Sequence, residues 1–314
     1  MDIRKRYLLY PMCRYSVFIF FSLVLGACSH LSSQQSSGGD SRIGGPAPIV
    51  LMSDFGSYDD GIGICKGAML KVQSGLTIVD ITHQIPAFSV KDAARFLVNS
   101  TPHFPQGTVF VVLVEKNVGK TRAIVAQSKK GQYFVLSDNG ALTLVAEQDG
   151  IEKVRAIRGD FWVEGKGLDS TFLGRDVYAP IAARIARGDN WEVIGPEISD
   201  VHLFDKKSRK FSEDHLIGDV IALDGPFGNL ITDITAAAFL NSRYFLGDKV
   251  KVIIGQKEFI LPFVKTFSDV PANQNLIYID STEHVAVAIN EGNFARRYKI
   301  KVPTKFTVIT KKEK

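Results

Sequence analysis

The hydrophobic pattern of the chain changes character near residue 200. Before that point, apolar runs of strand length alternate with segments of helical periodicity. The predicted strands are 49–52, 77–81, 108–114 and 133–136, and the predicted helices are 60–71, 89–99 and 171–187. Strands that alternate with helices indicate a mainly parallel α/β sheet. The uninterrupted apolar run Ile49–Met52 is typical of a strand covered on both faces.

The second half of the chain shows short apolar segments separated by turn residues. The predicted strands are 215–223, 230–234, 249–254, 258–263, 276–280, 285–289 and 298–308. This pattern favours an antiparallel, barrel-like β domain. The predicted fold is therefore an N-terminal α/β sandwich domain over residues 48–194, a polar connector over 195–213, and a smaller C-terminal β domain over 214–310.

The first 47 residues are predicted to lie outside the fold. Arg14 precedes the apolar stretch Val17–Leu25, and Gly26-Ala27-Cys28 follows it, so residues 1–28 are typical of a bacterial lipoprotein signal with a lipidated Cys28. The apolar run is too short for the alternative, a transmembrane helix. Residues 29–47, rich in Ser, Gln and Gly, predict a flexible tether. Ser29 after the lipidated cysteine favours the outer membrane, facing the periplasm, and the start codon is Met1 or Met12.

Charge and composition argue against a nucleic-acid partner, a disulfide framework and a bound metal. The formal charge is +5 over 314 residues, and because residues 1–27 hold four basic residues and one acidic residue, the remainder carries only +2. The remaining sequence has no basic stripe of the kind that would indicate a nucleic-acid partner. Without Cys13 and Cys28, the fold keeps only Cys65, which predicts a small buried side chain and no disulfide framework. No metal-binding spacing of His and Cys is present in the sequence, so no metal or other cofactor is predicted.

Two matched segments carry the candidate binding chemistry, namely Ser53-Asp54-Phe55-Gly56 and Asp224-Gly225-Pro226-Phe227-Gly228-Asn229. Each places a carboxylate and a glycine beside an aromatic ring after an apolar run, which suits a small ligand with a flat ring. Asp54 follows the first strand, where open α/β sheets bind ligands, and a carboxylate there accepts both hydroxyls of a ribose. A turn or helix-cap role is the alternative for Asp54.

Other residues allow further interpretations. Glu115 and Arg122 flank a glycine turn after the strongest strand, where such a pair holds a polarised water or forms a surface ion pair. The glycines at 61, 63 and 67, with Asp80 downstream, invite a dinucleotide interpretation. It is disfavoured because residues 54–60 separate the strand end from the first of those glycines. His83 is predicted to be a hydrogen-bonded histidine at a strand end.

Taken together, the ordered motifs resemble the S-adenosylmethionine (SAM) hydroxide adenosyltransferases, relatives of the SAM-dependent fluorinase and chlorinase. The resemblance runs from about Ile49 to Val308. The motifs that carry it are Ser53-Asp54-Phe55-Gly56, Cys65-Lys66-Gly67, Val79-Asp80-Ile81-Thr82-His83, Phe104-Pro105-Gln106-Gly107-Thr108-Val109, Ser137-Asp138-Asn139-Gly140, Thr171-Phe172-Leu173-Gly174-Arg175-Asp176, Asp224-Gly225-Pro226-Phe227-Gly228-Asn229 and Thr266-Phe267-Ser268-Asp269-Val270.

The resemblance implies a homotrimer whose ligand lies between one subunit's N-terminal domain and its neighbour's C-terminal domain. It implies that Asp54 holds the ribose hydroxyls and that Phe88 lies near the ribose or the methionine chain. The remaining implied ligand contacts, to the adenine or methionine part, are Asp224, Phe227, Asn229 and Ser281.

This chain departs from the family pattern at the implied water site. Glu115 stands for a family aspartate, Arg122 keeps the family spacing, and Leu173 stands for a family histidine. The predicted function is hydrolysis of SAM to adenosine and L-methionine by attack of water on ribose C5′, with Glu115 and Arg122 holding the water. The alternative is a catalytically impaired, lipid-anchored SAM- or nucleoside-binding protein. A halide-using adenosyltransferase is less favoured, because Gly174 stands where halide-using relatives offer a serine hydroxyl.

Overall fold

A six-stranded sheet organises the first half of the protein in the computed structural model, which describes residues 45–116, 120–159, 171–205, 210–211 and 214–311. Its strands are β1 (Ile49–Ser53), β2 (Ile78–Thr82), β3 (Val109–Leu113), β4 (Ala123–Ser128), β5 (Tyr133–Ser137) and β6 (Ile151–Ala156). Their order across the sheet is β2-β1-β3-β5-β4-β6. β1 pairs in parallel with β2 and β3, and β3 with β5, whereas β4 is antiparallel to both its neighbours.

Helices cover both faces of this sheet. They are α1 (Gly61–Val72), α2 (Val90–Ser100), α3 (Thr143–Gln148) and α4 (Ala179–Arg187), with 3₁₀ turns at Thr101–His103 and Trp191–Val193 and a π turn, Gly174–Tyr178, leading into α4. Ile49 and Leu51 pack with the α1 and α4 side chains, whereas Val50 and Met52 pack with those of α2 and α3. The continuous apolar run of β1 therefore reflects burial on both faces.

An antiparallel sheet forms the second half. Its strands are β7 (Lys210–Phe211), β8 (His215–Asp224), β9 (Asn229–Thr235), β10 (Lys249–Ile254), β11 (Lys257–Pro262), β12 (Asn275–Ile279), β13 (His284–Ile289) and β14 (Thr304–Ile309). The order is β11-β10-β14-β8-β9-β13-β12, with β7 beside β8. A bridge between Phe263 and Ile277 draws the two outer strands together, so the sheet nearly closes into a barrel. Two short helices, α5 (Ala236–Leu240) and α6 (Phe294–Tyr298), and a 3₁₀ turn, Phe267–Asp269, complete this half.

The predicted fold class, a mainly parallel α/β sheet followed by an antiparallel β structure, is confirmed. Individual elements differ from the prediction. β4, β6 and α3 were not predicted, and neither were α5 and α6. The predicted strand over 298–308 is wrong at its start: α6 ends at Tyr298, Lys299 takes a left-handed φ of 56°, and β14 begins only at Thr304.

The segment after α4 follows the edge of the first sheet before it reaches the second. Arg158 N–H donates to the Ile194 carbonyl and Ile198 N–H to the Val154 carbonyl, each at 2.9 Å. The start of the predicted connector is thus hydrogen-bonded beside β6, which carries Asp200 to the neighbourhood of β5. The predicted signal and Cys28 lie outside the described residues. Within the described ranges, no helix has the length and apolarity needed to cross a membrane.

Candidate functional site

A cavity of about 470 Å³ opens at the carboxyl edge of the parallel strands. β1, β3 and β5 end at this edge, where the loops that follow them diverge and leave a crevice. The residues lining the cavity are Asp54, Phe55, Asp59, Asp60, Gly61, Ala87, Phe88, Leu113, Glu115, Thr171, Phe172, Leu173, Gly174 and Tyr178. Its volume and its mixture of aromatic and carboxylate groups suit one small polar ligand with an apolar ring.

Asp54 and Phe88, both predicted to bind ligand, lie together on one side of the cavity. The Asp54 Oδ2 atom accepts a hydrogen bond of 2.7 Å from the Phe88 backbone N–H. Phe88 has a left-handed φ of 65°, and its side chain is 61% exposed. The carboxylate thus anchors a loop that presents an aromatic ring at the cavity. The second oxygen of Asp54, Oδ1, has no hydrogen-bond partner among the described residues.

Glu115 also lines the cavity, just beyond the end of β3. Its Oε1 atom accepts a hydrogen bond from the Tyr178 hydroxyl at 2.7 Å and another from the Ser137 hydroxyl. The Ser137 and Tyr178 oxygens are themselves 3.2 Å apart. Burial first, and then the negative charge of Glu115, raise the pKa of Tyr178 well above its ordinary value, so this hydroxyl keeps its proton and remains a donor.

The π turn contributes further residues to the cavity lining. The Ala179 N–H donates to the Gly174 carbonyl, five residues earlier, and this widened turn leads into α4. Leu173, Gly174 and Tyr178 consequently all line the cavity, although they span more than one turn of chain. Leu173 is 4% exposed and presents only carbon atoms to the site. Segments of π-helix are frequently found at functional sites.

Arg122 does not line the cavity. Its guanidinium donates to Asp138 Oδ2, with Nη2 at 2.6 Å and Nε at 3.2 Å, and to Asp200 Oδ1 at 3.1 Å. Asp138 also accepts from the His202 N–H at 2.8 Å. The pKa of Arg122 is raised, and its hydrogen bond to Asp138 is the largest cause. Arg122 is therefore not among the hydrogen-bond partners found for Glu115. It instead links the carboxyl end of β5 to the connector.

The predicted ligand residues of the second half lie apart from the cavity. Asp224 ends β8, Asn229 begins β9, and the Asn229 amide donates to Asp224 Oδ2 at 3.3 Å. Phe227, in the turn between them, is 63% exposed. Burial, followed by the charges of Asp224 and Asp280, raises the pKa of Tyr278 to about 12.

Ser281 is exposed in the β12–β13 turn, where Asp280 Oδ1 accepts hydrogen bonds from Thr282 and His284. Together with the Asp224–Asn229 turn, this gives a second polar and aromatic surface on the same polypeptide.

A hydrogen-bonded chain supports the turn that carries Asp54. The Ser53 hydroxyl lies 2.8 Å from His83 Nδ1, and the Gly56 N–H donates to the His83 carbonyl at 2.7 Å. His83 Nε2 lies 3.2 Å from Asp80 Oδ1, and Lys66 Nζ lies 2.5 Å from Asp80 Oδ2. Burial alone raises the pKa of Asp80, but the contacts with Lys66 and His83 outweigh it and lower the pKa overall. His83 is thus a hydrogen-bonded strand-end histidine, as predicted.

Ser137, Tyr178 and Phe172 were not singled out as site residues from the sequence. Phe172 packs against Phe55, with ring centroids 5.9 Å apart, and forms an aromatic wall. Ser137 and Tyr178 are 41 residues apart in the sequence. Their hydroxyls come into contact because β5 and the π turn both end beside the cavity. One general rule could have drawn attention to Tyr178: a buried tyrosine hydroxyl needs a hydrogen-bond partner. Within the part of the chain that the structure describes, no cluster of His, Cys, Asp and Glu suits a metal ion.

The fold and site define an α/β protein with a ligand cavity at the carboxyl edge of a parallel sheet and an attached antiparallel β structure. Two family models match consecutive parts of the chain: the SAM hydroxide adenosyltransferase N-terminal domain over residues 49–195, and the C-terminal domain of the same family over 218–307. The chain therefore belongs to the SAM hydroxide adenosyltransferase family.

Individual relatives agree with this assignment. The chain is 30% identical to a fluorinase of Nocardia brasiliensis, over 82% of this chain and 95% of that protein. It is 32% identical to an (R)-S-adenosyl-L-methionine hydrolase of Thermus thermophilus, over 78% and 93% respectively. A crystal structure of a conserved Thermotoga maritima protein superposes with a TM-score of 0.79 at 32% identity, covering 83% of this chain and 99% of that one.

Proposed function

We propose that this protein hydrolyses S-adenosyl-L-methionine to adenosine and L-methionine. A water oxygen forms a bond to ribose C5′ while the bond from C5′ to the sulfonium sulfur breaks. The electron pair of the broken bond neutralises the sulfur, which leaves as methionine. The proton of the attacking water passes to Glu115. Because the sulfonium is already a good leaving group, the protein's main task is to hold the water in line with the departing sulfur.

The observation that carries this proposal is that Glu115 and Asp54 line one cavity in a chain of this family. Both carboxylates line the same 470 Å³ space. Asp54 is suited to accept the ribose hydroxyls, as the resemblance implies. Glu115 follows the neighbouring strand β3, and in the proposed reaction its second oxygen holds the water that attacks the nucleoside. A positioned general base of this kind contributes on the order of a hundredfold to ten-thousandfold.

Water is favoured over halide by the space around Gly174. A Cβ atom at this position would lie 3.1 Å from Cys65 Sγ and 3.2 Å from both Leu113 Cδ1 and Phe172 Cε2. These contacts are tighter than ordinary van der Waals packing, so a serine hydroxyl has no room without movement of its neighbours. The site consequently lacks a hydroxyl at the position where halide-using relatives are expected to carry one.

We also propose that the complete ligand site forms between subunits of a homotrimer. The supporting observation is that the cavity is lined by residues from 54 to 178, whereas Asp224, Phe227, Asn229 and Ser281 lie on a separate surface of the chain. In the proposed trimer, a second subunit brings that surface to the ligand. Light scattering on the fragment from Ser29 onward tests this assembly. A monomer that binds adenosine as tightly as the assembled form would contradict it.

A second candidate function is ligand capture without turnover. Leu173 lines the cavity and offers no hydrogen bond, and Arg122 is engaged by Asp138 and Asp200. Under this alternative, the protein binds SAM or adenosine but releases the ligand unchanged. The proposed lipid anchor at Cys28 makes the alternative relevant, because it would place the protein in the cell envelope, facing the periplasm, while SAM is made in the cytoplasm.

One assay separates the two functions. The fragment from Ser29 onward is incubated with SAM, and adenosine and methionine are quantified by chromatography. Because hydrolase relatives are named for the (R) form, both sulfonium epimers are supplied separately. Hydrolysis predicts equal amounts of the two products, lost in Glu115→Gln and retained in the matched control Glu152→Gln on the exposed side of β6. Binding by calorimetry without either product supports capture instead.

A further inference from the structure

The side chains around Glu115 form an arrangement that was not predicted from the sequence. Oε1 of Glu115 accepts hydrogen bonds from two hydroxyls, those of Ser137 and Tyr178. Oε2 has no hydrogen-bond partner among the described residues. One oxygen of the carboxylate is thus fixed, while the other is available to a water molecule in the cavity. A carboxylate held in this way cannot rotate freely, which is what alignment of a water molecule requires.

We infer that Tyr178 and Ser137 act as positioning residues that orient Glu115 toward the attacking water, in place of the missing histidine and of Arg122. This inference rests on the proposed hydrolysis. Arg122 is held by Asp138 and Asp200, and Leu173 supplies only an apolar wall, so neither orients the carboxylate. Tyr178 reaches the carboxylate from the π turn, and Ser137 reaches it from the end of β5.

The surroundings of Tyr178 suit a permanent donor. The residue is 1% exposed, and Ser137 is equally buried, so water does not compete for these hydrogen bonds. The tyrosine hydroxyl keeps its proton throughout the working range, for the reasons given above. Tyr178 therefore remains a donor that fixes the orientation of Glu115.

Among the described residues, the carboxylates that share the cavity with Glu115 and Tyr178 are Asp54, Asp59 and Asp60. Asp138 with Arg122, and Asp176 with Arg175, form ion pairs in the segments that carry Ser137 and Tyr178. The three cavity aspartates are present in every variant described below. A change confined to Tyr178→Phe therefore reports the hydroxyl and not a change in the surrounding charge.

The kinetic test is Tyr178→Phe, which removes one oxygen from a buried ring and leaves its packing in place. A hydrogen bond to a charged group is typically worth about 1.5–3 kcal/mol, so kcat falls roughly 10- to 150-fold while KM changes less than about threefold. Ser137→Ala is expected to lower kcat in the same direction, again with little change in KM.

The control is Tyr133→Phe, on the same strand as Ser137 but outside the cavity, where the hydroxyl accepts a hydrogen bond from the Gln127 amide at 3.1 Å. It is expected to keep the kcat and KM of the wild type. A purely structural role for Tyr178 predicts lower stability with an unchanged kcat in the folded variant. An unchanged kcat in folded Tyr178→Phe would overturn the inference.

A measurement without turnover keeps this inference separate from the proposed reaction. The infrared carboxylate band of Glu115 is isolated by subtracting the spectrum of Glu115→Gln. This band is expected to shift in Tyr178→Phe and to stay in place in Tyr133→Phe, whether or not SAM is consumed. If the band shifts in Tyr178→Phe but the wild type releases no adenosine, the positioning of Glu115 stands and the proposed reaction does not. A band that is the same in the wild type, Tyr178→Phe and Tyr133→Phe contradicts the positioning of Glu115 by Tyr178.

Discussion

Replacement of Asp54 by alanine tests the binding half of the site. Asp54 lines the cavity and, among the described residues, accepts one hydrogen bond, from Phe88 N–H at 2.7 Å. Alanine therefore removes the proposed contact to the ribose hydroxyls and releases the loop that carries Phe88. A hydrogen bond to a charged group is worth about 1.5–3 kcal/mol, and about 1.4 kcal/mol corresponds to tenfold in affinity. Adenosine should therefore bind roughly 10- to 150-fold more weakly.

Asp54→Asn separates the two effects. The amide oxygen still accepts from Phe88 N–H, but the side chain has lost its charge, so binding is expected to weaken less than in Asp54→Ala. Isothermal calorimetry with adenosine measures both variants without interference from turnover. Asp92→Asn, at a carboxylate bound to Ser89 and Arg95 in α2, serves as the control and should bind normally. A folded Asp54→Ala protein with an unchanged dissociation constant would refute this placement of the ribose.

Three further predictions concern other parts of the molecule. Leu173→His should increase adenosine release, because it adds an acid–base group to the cavity wall; no increase in a folded variant would count against a water site beside residue 173. Gly228→Ala should lower the free energy of unfolding in urea by about 1–3 kcal/mol, because φ is +72° and a Cβ would meet Asn293 Oδ1 at 2.1 Å. Gly247→Ala, with a φ of +92° but open space, should lose less, and equal losses would contradict the contact argument. Cys28→Ser should move the full-length protein from the membrane fraction to the soluble fraction; unchanged fractionation would contradict the proposed lipid anchor.

The sequence was most informative where burial imposed a simple pattern. β1 and β3 are covered on both faces, so their side chains are continuously apolar and their positions were predicted almost to the residue. β4 and β6 lie toward the sheet edge and mix polar with apolar residues. They carry a weaker signal and were not predicted. α6 was missed because its five residues are too few for helical periodicity to show.

The same distinction applies to the candidate site. Asp54 and Glu115 follow predicted strands, so their presence at one sheet edge was open to sequence reasoning. The contact between Arg122 and Asp200 could not be predicted in this way, because Asp200 lies 78 residues away on a connector whose path beside β6 has no local signature. Tyr178 was hidden for a different reason. A regular helix over 171–187 does not place residues 173 and 178 on one face, whereas the π turn lets both line the cavity.

The most direct test of the central claim is the fate of the water oxygen. The fragment from Ser29 onward is incubated with SAM in ¹⁸O-labelled water, and the products are separated and analysed by mass spectrometry. Attack of water on C5′ predicts that the label appears in the 5′-hydroxyl of adenosine, that methionine forms in equal amount without label, and that Glu115→Gln suppresses both. Adenosine without the label, or SAM recovered intact after measurable binding, would contradict the proposed hydrolysis.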